Sequence, residues 1–446
     1  MKQVNLLTDS PRRLFFHYLG PTIGSSMVTS IYILADTIMV GQGVGDAGLA
    51  ALTIFMPIVA SFFALGLLLG VGGGVLMSVA KGSGNESLAH KYFSTAMISV
   101  AVVSVCFAVF GAIFFDPMMY ALGADTTNIE LVRGYGLCYT VSAPLFIFSS
   151  SLQSFIRNDK SPRHAMIAVL TGSGLNILLD YLFIFVFKMG MFGASFATSI
   201  GTSITVCILV IHFFTKKNTM RFSFRFFSIK ALWEIAKCGF SSFLIECANA
   251  VLVFVFNHTL LKYIGSVGVT VYSIMSNVAV VCMSLFNGVT LAAQPIIATN
   301  HGADNHKRVL QVRHIGTITS SVIAVIIFCV GFFFPDLLIY SYVKGPTPEI
   351  LELARYALRI YFFAYLFMNF NIFFSGYFQS TLRPVAAITI QILRSLLLSS
   401  VLVSVLPMIF GADAIWYAVP ITECITFFVA MAFLFFGRFQ KTKEAK

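Results

Sequence analysis

The chain has 446 residues, of which 58% are hydrophobic and only 11% are charged, with a formal net charge of +11. Its mean hydropathy is +0.88. An ordinary soluble domain carries roughly 25% charged residues, and one core could not hide this much apolar surface. The composition therefore excludes a soluble globular protein and predicts an all-α polytopic membrane protein.

Twelve apolar stretches, separated by glycines, prolines and clusters of charged residues, are long enough to cross a bilayer as helices. In chain order they cover about 14–40, 49–80, 92–115, 131–155, 164–187, 192–215, 232–261, 270–299, 311–334, 352–380, 385–407 and 413–437. Five glycines crowd the second stretch between Gly66 and Gly74. No Lys-Ser or Lys-Thr follows them, so we interpret them as a small face for close helix contact and not as a phosphate loop.

Lysine and arginine are distributed unevenly between the two sides of these stretches. With the N-terminus taken as cytoplasmic, 22 of the 29 fall on the cytoplasmic side, six fall on the other side and Arg394 lies within a stretch. The positive-inside rule therefore predicts that both termini are cytoplasmic. Because the basic excess follows topology, we expect the lipid bilayer as the protein's surroundings and no nucleic-acid partner.

The two halves of the chain resemble each other at an offset of 220 residues. Gly45 falls on Gly265, and the loop 82–85 falls on 302–305. Such repeats are typical of transporters whose halves rock around a central cavity, so we predict two pseudo-symmetric six-helix bundles. The predicted boundaries are 1–215 for an N-lobe with helices 1–6, 216–231 for a basic cytoplasmic linker, and 232–446 for a C-lobe with helices 7–12.

Two carboxyl groups lie inside apolar stretches of the first half. Asp36 lies in the first stretch, and Asp180 lies one helical turn after Asn176 in the fifth. A bilayer penalises an ionised acid, and no lysine or arginine lies deep in these stretches, so a proton or a small cation such as sodium would neutralise each acid. The Asn176 carbonyl and the Thr198 hydroxyl could complete an oxygen shell for that ion. The alternative is that these groups only form hydrogen bonds between helices.

The second half has three charged side chains within apolar stretches. Glu246 lies in the seventh stretch, Arg394 in the eleventh and Glu423 in the twelfth. Arg394 and Glu423 could satisfy each other as a structural ion pair. Glu246 has no evident partner. We therefore keep Glu246, Arg394 and Glu423 as candidates for a proton or substrate site in the C-lobe.

Several motifs together resemble the multidrug and toxic compound extrusion (MATE) family, and the resemblance covers nearly the whole chain. Residues 32–41 (YILADTIMVG) resemble the family's first helix, and 176–180 with 193–198 resemble its fifth and sixth. Residues 293–297 are similar to the end of its eighth helix. Arg394 and the run Pro420–Glu423 are similar to the MepA-like branch.

The resemblance implies roles for particular side chains. Asp36, Asn176, Asp180 and Thr198 would form the family's N-lobe cation site, which binds sodium in some members and protons in others. Glu246 matches the seventh-helix acid of the NorM branch. Two features depart from the family pattern. The tenth stretch has asparagines but no acid, which disfavours a NorM-type sodium site in the C-lobe, and 239–241 lack the usual seventh-helix proline.

These observations predict a bacterial plasma-membrane antiporter and not an enzyme. Its only cofactor would be the coupling ion, H⁺ or Na⁺, and it would act as a monomer that exports small amphipathic, cationic aromatic drugs by alternating access. The alternative is a flippase for lipid-linked precursors or polysaccharides, although Arg394 alone makes a weakly cationic cavity for a diphosphate. A membrane-embedded enzyme or a receptor is less consistent with short outer loops and a duplicated bundle.

Overall fold

In a computed structural model, which describes residues 4–343 and 345–444, the chain is built from helices and contains no strand within those residues. The α-helices are α1 (Pro11–Gly43), α2 (Asp46–Gly82), α3 (Glu86–Ile113), α4 (Phe115–Ala121), α5 (Ile129–Val141), α6 (Ala143–Asn158), α7 (Pro162–Asp180), α8 (Gly190–Ile211), α9 (Ile229–Tyr263), α10 (Ser266–Gly302), α11 (His306–Phe333), α12 (Pro335–Tyr342), α13 (Pro348–Phe362), α14 (Tyr365–Ser380), α15 (Pro384–Gln391), α16 (Leu398–Phe410) and α17 (Ala418–Glu444). There are also π-helical turns at Tyr181–Val186 and Ile392–Leu397, and 3₁₀ turns at His212–Phe214, Phe224–Phe226 and Ala412–Tyr417.

The described residues contain ten helical segments that are long and apolar enough to cross a bilayer. Two bent pairs, α5 with α6 and α13 with α14, supply one further span each, with bends of 53° and 45°. Large apolar side chains such as Phe110 and Ile326 remain exposed on the outer faces, as expected for helices that are apolar all round. These features confirm the predicted all-α polytopic fold with about twelve spans.

The two halves of the chain repeat the same series of helices. Helices α1 and α9 have 33 and 35 residues, α2 and α10 have 37 each, and α3 and α11 have 28 each. A short helix and then the bent pair follow in each half, and each half contains one π-helical turn. The structure therefore supports the predicted duplication at the level of whole helices.

The chain packs into two compact units. One comprises Met1–Cys247 with Pro295–Val309, and the other comprises Ala248–Gln294 with Leu310–Lys446. Stacked aromatic rings lie in the core of the first unit, where the ring centroids of Tyr139 and Phe146 are 4.1 Å apart. In the second unit the rings of Phe256 and Tyr272 stack with their centroids 4.5 Å apart. These units follow packing, whereas the predicted lobes 1–215 and 232–446 follow the sequence repeat, so the lobe boundaries stay a prediction.

The glycines of α2 allow neighbouring helices to approach it closely. A Cβ atom on Gly70 would lie 2.6 Å from the Cα atom of Ser151 in α6, and one on Gly72 would lie 2.8 Å from the backbone nitrogen of Gly239 in α9. Separations this short leave no room for a side chain. The predicted role of these glycines in close helix contact is confirmed.

Adding a single methyl group at such a crossing should destabilise the protein. In Gly239→Ala the new Cβ would lie 2.7 Å from the carbonyl carbon of Leu68, and overpacking of this kind costs about 1–3 kcal/mol. Gly174→Ala is the matched control, because nothing lies within 4 Å of its Cβ position and alanine favours a helix by roughly 1 kcal/mol. The midpoint of thermal unfolding in detergent should fall in Gly239→Ala and rise in Gly174→Ala. Equal midpoints for the two variants would contradict this account of the packing.

A buried carboxylate ties the linker after α8 to the first unit. Asp159 lies 2.6 Å from Lys81 Nζ and 2.8 Å from His212 Nε2, and it accepts hydrogen bonds from the Thr219 amide at 3.0 Å and from the Thr219 hydroxyl. Burial alone would raise the pKa of Asp159, but the hydrogen bonds from His212, Lys81 and Thr219 hold that pKa well below its ordinary value. The linker is therefore anchored where it leaves α8.

Candidate functional site: a buried carboxylate cluster

The four residues predicted to form the N-lobe cation site are contributed by three helices of the first unit. Asp36 lies in α1, Asn176 and Asp180 in α7, and Thr198 in α8, and α7 packs against both of the other helices. All four are buried, and the Asp180 side chain has no exposed surface. Asn176 Nδ2 donates to Thr198 Oγ1 at 3.2 Å, and this hydroxyl donates to the Ala194 carbonyl at 3.0 Å. The amide of Asn176 is thus held with its oxygen free.

Four buried oxygen atoms in this cluster have no hydrogen-bond partner among the described residues. They are Asp36 Oδ1, Asn176 Oδ1 and both carboxylate oxygens of Asp180. The two acids lie close enough to interact electrostatically, and neither forms an ion pair with a described lysine or arginine. A buried oxygen without a partner calls for an explanation, and protons or a hard cation held by oxygen ligands would supply it. The residues present therefore fit the predicted coupling ion.

Two phenol groups lie within electrostatic range of the acids, and the sequence pattern does not predict both of them. Tyr32, one helical turn before Asp36 in α1, and Tyr135 in α5 both lie within electrostatic range of Asp36 and Asp180. Tyr139 stacks on Tyr135 at 5.6 Å. The four-residue spacing of Tyr32 from Asp36 is a signal that the sequence does contain. No local pattern relates Tyr135 to α1, because their proximity depends on how two distant helices pack.

The backbone is irregular beside the acid of α7. The π-helical turn Tyr181–Val186 begins directly after Asp180, and the other π-helical turn, Ile392–Leu397, contains Arg394. Turns of this type interrupt the regular hydrogen-bond ladder of a helix and occur frequently at functional sites. In both halves of the chain, a charged residue within the membrane is therefore placed at a π-helical turn.

The C-lobe candidates Arg394 and Glu423 form a buried ion pair. Arg394 Nε lies 2.8 Å from Glu423 Oε1, and the two side chains are only 4% and 3% exposed. Asn371 Nδ2 donates to the other carboxylate oxygen at 2.7 Å. Both oxygens of Glu423 are therefore satisfied, in contrast to those of Asp180. The arrangement is the structural pair that the sequence left open, and a proton or substrate role for this pair stays a prediction.

Glu246 and Asn371 illustrate what the sequence could and could not predict. Glu246 lies partly exposed in α9, in the first unit, and forms no ion pair with the side chains that the structure describes. A proton or substrate role for Glu246 stays a prediction. Asn371 is one of the asparagines in the tenth stretch, where the sequence has no acid. Its hydrogen bond to Glu423 could not be inferred from its position in the sequence.

Comparison with known proteins identifies the family. The MatE family model matches residues 21–182 and 238–405. The multidrug export protein MepA of Staphylococcus haemolyticus is 25% identical over 421 residues, covering 94% of this chain and 92% of the relative. MepA of Staphylococcus saprophyticus is 26% identical over 432 residues, covering 96% of this chain and 94% of the relative.

Solved structures share the fold. A MATE protein in complex with MaL6 and the outward-facing conformation of a multidrug resistance MATE family transporter each give a TM-score of 0.91 at 21% identity and 99% coverage of this chain, with 99% and 98% of their own chains covered. A MOP superfamily transporter from Pyrococcus furiosus gives 0.91 at 22% identity, over 100% of this chain and 99% of its own. With the family model matching most of the sequence, this chain belongs to the MATE family of multidrug and toxic compound extrusion transporters.

Proposed function

We propose that this transporter is a cation-coupled antiporter that exports small amphipathic, cationic aromatic drugs by alternating access. Relatives named multidrug export proteins over nearly their full length support the drug substrate. The single observation that carries the coupling is the set of orphaned oxygens on Asp36, Asn176 and Asp180. We further propose that it is a monomer in a bacterial plasma membrane with both termini in the cytoplasm, which the distribution of lysine and arginine supports.

In the proposed cycle, Asp36 and Asp180 accept a proton or sodium ion when the site faces outward. One such ion lowers the charge of the pair from −2 to −1, so the mutual repulsion of two close carboxylates disappears and α1 and α7 can pack differently. This rearrangement expels the drug. When the site faces inward the ion leaves, and the two acids again favour a cationic ligand. The cycle requires that the ion affinity of the acids differs between the two conformations.

Efflux of a fluorescent cation from proteoliposomes, under separately imposed pH and sodium gradients, tests the proposal. One of the two gradients should accelerate efflux several-fold over a vesicle without gradients. The other gradient serves as the internal control, because it leaves the membrane and the drug unchanged. Efflux that is indifferent to both gradients would exclude cation coupling.

Thr198→Val should weaken binding of the coupling ion without abolishing transport. Valine keeps the shape of the side chain but removes the hydroxyl that accepts from Asn176, so the amide is no longer held. The loss of one such hydrogen bond costs about 1 kcal/mol, which corresponds to roughly a fivefold higher ion concentration for half-maximal transport. Ser203→Ala in the same helix is the control, because among the described residues the Ser203 hydroxyl bonds only to the backbone carbonyl of Ser199. An unchanged half-maximal concentration in Thr198→Val would remove Thr198 from the site.

A further inference from the structure

The segment Val4–Ser10, before the first helix, is tied to the end of α10 and the start of α11. Asn300 Nδ2 donates to the carbonyl oxygen of Leu6 at 3.0 Å, and Arg308 Nη2 donates to the same oxygen at 3.2 Å and to the carbonyl oxygen of Asp9. Arg308 Nε also donates to Asn300 Oδ1 at 2.9 Å, which fixes the two donors relative to each other. The Leu6 side chain is only 2% exposed. The contact is therefore a specific docking of the segment.

The docked segment has a defined shape and continues into α1. The Asn5 amide donates to Asp9 Oδ2 at 3.0 Å, the Leu7 amide donates to Asn5 Oδ1 at 3.0 Å, and the Asp9 amide donates to the Asn5 carbonyl at 3.1 Å. The Leu14 amide then donates to the Ser10 carbonyl at 3.0 Å. Because the segment is a closed turn joined directly to α1, it connects the helix that carries Asp36 to the end of α10.

At the same end of the bundle, α10 crosses α2 with the two backbones in contact. A Cβ on Gly82 would lie 2.9 Å from the carbonyl carbon of Thr299, and one on Gly302 would lie 2.7 Å from the carbonyl carbon of Val79. The 220-residue repeat relates Gly82 to Gly302 and Val79 to Thr299. The glycine of each helix therefore packs against the equivalent residue of the other helix. Backbones this close leave no passage for a drug-sized molecule between α2 and α10.

All of these residues lie in one compact unit. Pro295–Val309, which includes the last turns of α10, packs with Met1–Cys247, whereas the preceding part of α10 belongs to the other unit. Pro295 lies within α10 at this division, and a proline inside a helix removes one backbone hydrogen bond and favours a bend there. The end of α10 is therefore the portion that must leave the first unit if the transporter opens at this end.

We propose that Val4–Ser10 is a latch that holds the end of α10 against α2 and releases when the transporter opens at this end of the bundle. The inference rests on the proposed alternating-access function, since only that cycle requires the end to open. Arg308 suits a reversible latch because a guanidinium forms strong charge-assisted hydrogen bonds to two carbonyl oxygens at once. The latch closes the end that the positive-inside rule makes cytoplasmic.

The latch can be tested by pulsed electron–electron double resonance, which measures the distance between two spin labels. One label would be placed on position 87 in α3 and the other on position 307 in α11. Both positions are exposed, and the labels require a background without the native cysteines. The test variants are Arg308→Ala and removal of residues 2–9; Arg12→Ala is the control, because Arg12 is an exposed arginine at the same end with no hydrogen bond or ion pair to the described residues. We expect the ratio of separated to close label populations to rise about tenfold in both test variants, the effect of losing roughly one charged hydrogen bond.

An unchanged distance distribution in both test variants, or an equal change in Arg12→Ala, would contradict the latch. The segment Val4–Ser10 would then be a fixed structural contact that does not control opening. If Arg308→Ala does not fold, the shortened chain decides, because it leaves α10 and α11 untouched. The measurement needs neither a drug nor an ion gradient. Its failure is therefore distinguishable from a failure of cation coupling, which only the transport measurements detect.

Discussion

Replacing either acid of the carboxylate cluster with asparagine should abolish gradient-driven drug efflux. Asp36→Asn and Asp180→Asn preserve the size of each side chain but remove the charge that a proton or sodium ion would neutralise. The orphaned oxygens of these two residues have no other described partner, so little else in the fold depends on them. We expect a loss on the order of 100-fold, the upper range of coupling between two binding sites. Efflux of a fluorescent cation from proteoliposomes measures it.

Asp46→Asn is the matched control for this experiment. Asp46 is an exposed acid at the start of α2 with no side-chain hydrogen bond or ion pair to the described residues, so its replacement should leave efflux unchanged. Both cluster variants must reach the membrane at wild-type levels for the comparison to count. If they do so and retain full gradient-driven efflux, the coupling ion binds elsewhere.

Breaking the buried Arg394–Glu423 pair should destabilise the second unit strongly. Arg394→Met would leave the Glu423 carboxylate buried without its cation, and Glu423→Gln would leave the guanidinium without its anion. Removing one partner of a buried pair costs about 3–5 kcal/mol. Thermal unfolding in detergent should therefore show a large fall in midpoint for each single variant.

The double variant Arg394→Met with Glu423→Gln should recover most of that loss. It removes both charges, and glutamine keeps an oxygen that can accept from Asn371. The exposed pair Arg355–Asp336, whose side chains are 43% and 46% exposed, is the control: Arg355→Met should cost about 1 kcal/mol or less. Additive losses in the double variant would show that Arg394 and Glu423 do not stabilise each other, and would contradict this account of the pair.

The sequence was sufficient to predict which segments cross the membrane. Predicted stretches such as 49–80 and 270–299 lie within α2 and α10, because hydropathy and the length of a span are local properties of the chain. It also predicted that Asn176 and Asp180 share a helix face, since they are four residues apart. That Asp36 would lie beside them needed the resemblance, because no local rule relates α1 to α7.

Contacts between distant segments cannot be predicted from the sequence pattern. The hydrogen bond from Arg308 to Leu6 joins residues 302 positions apart. The electrostatic influence of the two acids on Tyr135 likewise depends on how α5 packs beside distant helices. The sequence predicts the pairing of Arg394 with Glu423 only as one of two options. Helical periodicity indicates which face is apolar, but it does not indicate which neighbouring helix that face will meet.

If Asp36 and Asp180 exchange a coupling ion for the drug, binding of the drug should release that ion. The most direct measurement is ion release when a fluorescent cation binds to the purified transporter in weakly buffered detergent solution, followed by a pH indicator and by displacement of radioactive sodium. The wild-type protein should release protons or sodium ions on binding, and the Asp36→Asn/Asp180→Asn double variant should release none. Equal release from both proteins would contradict the exchange.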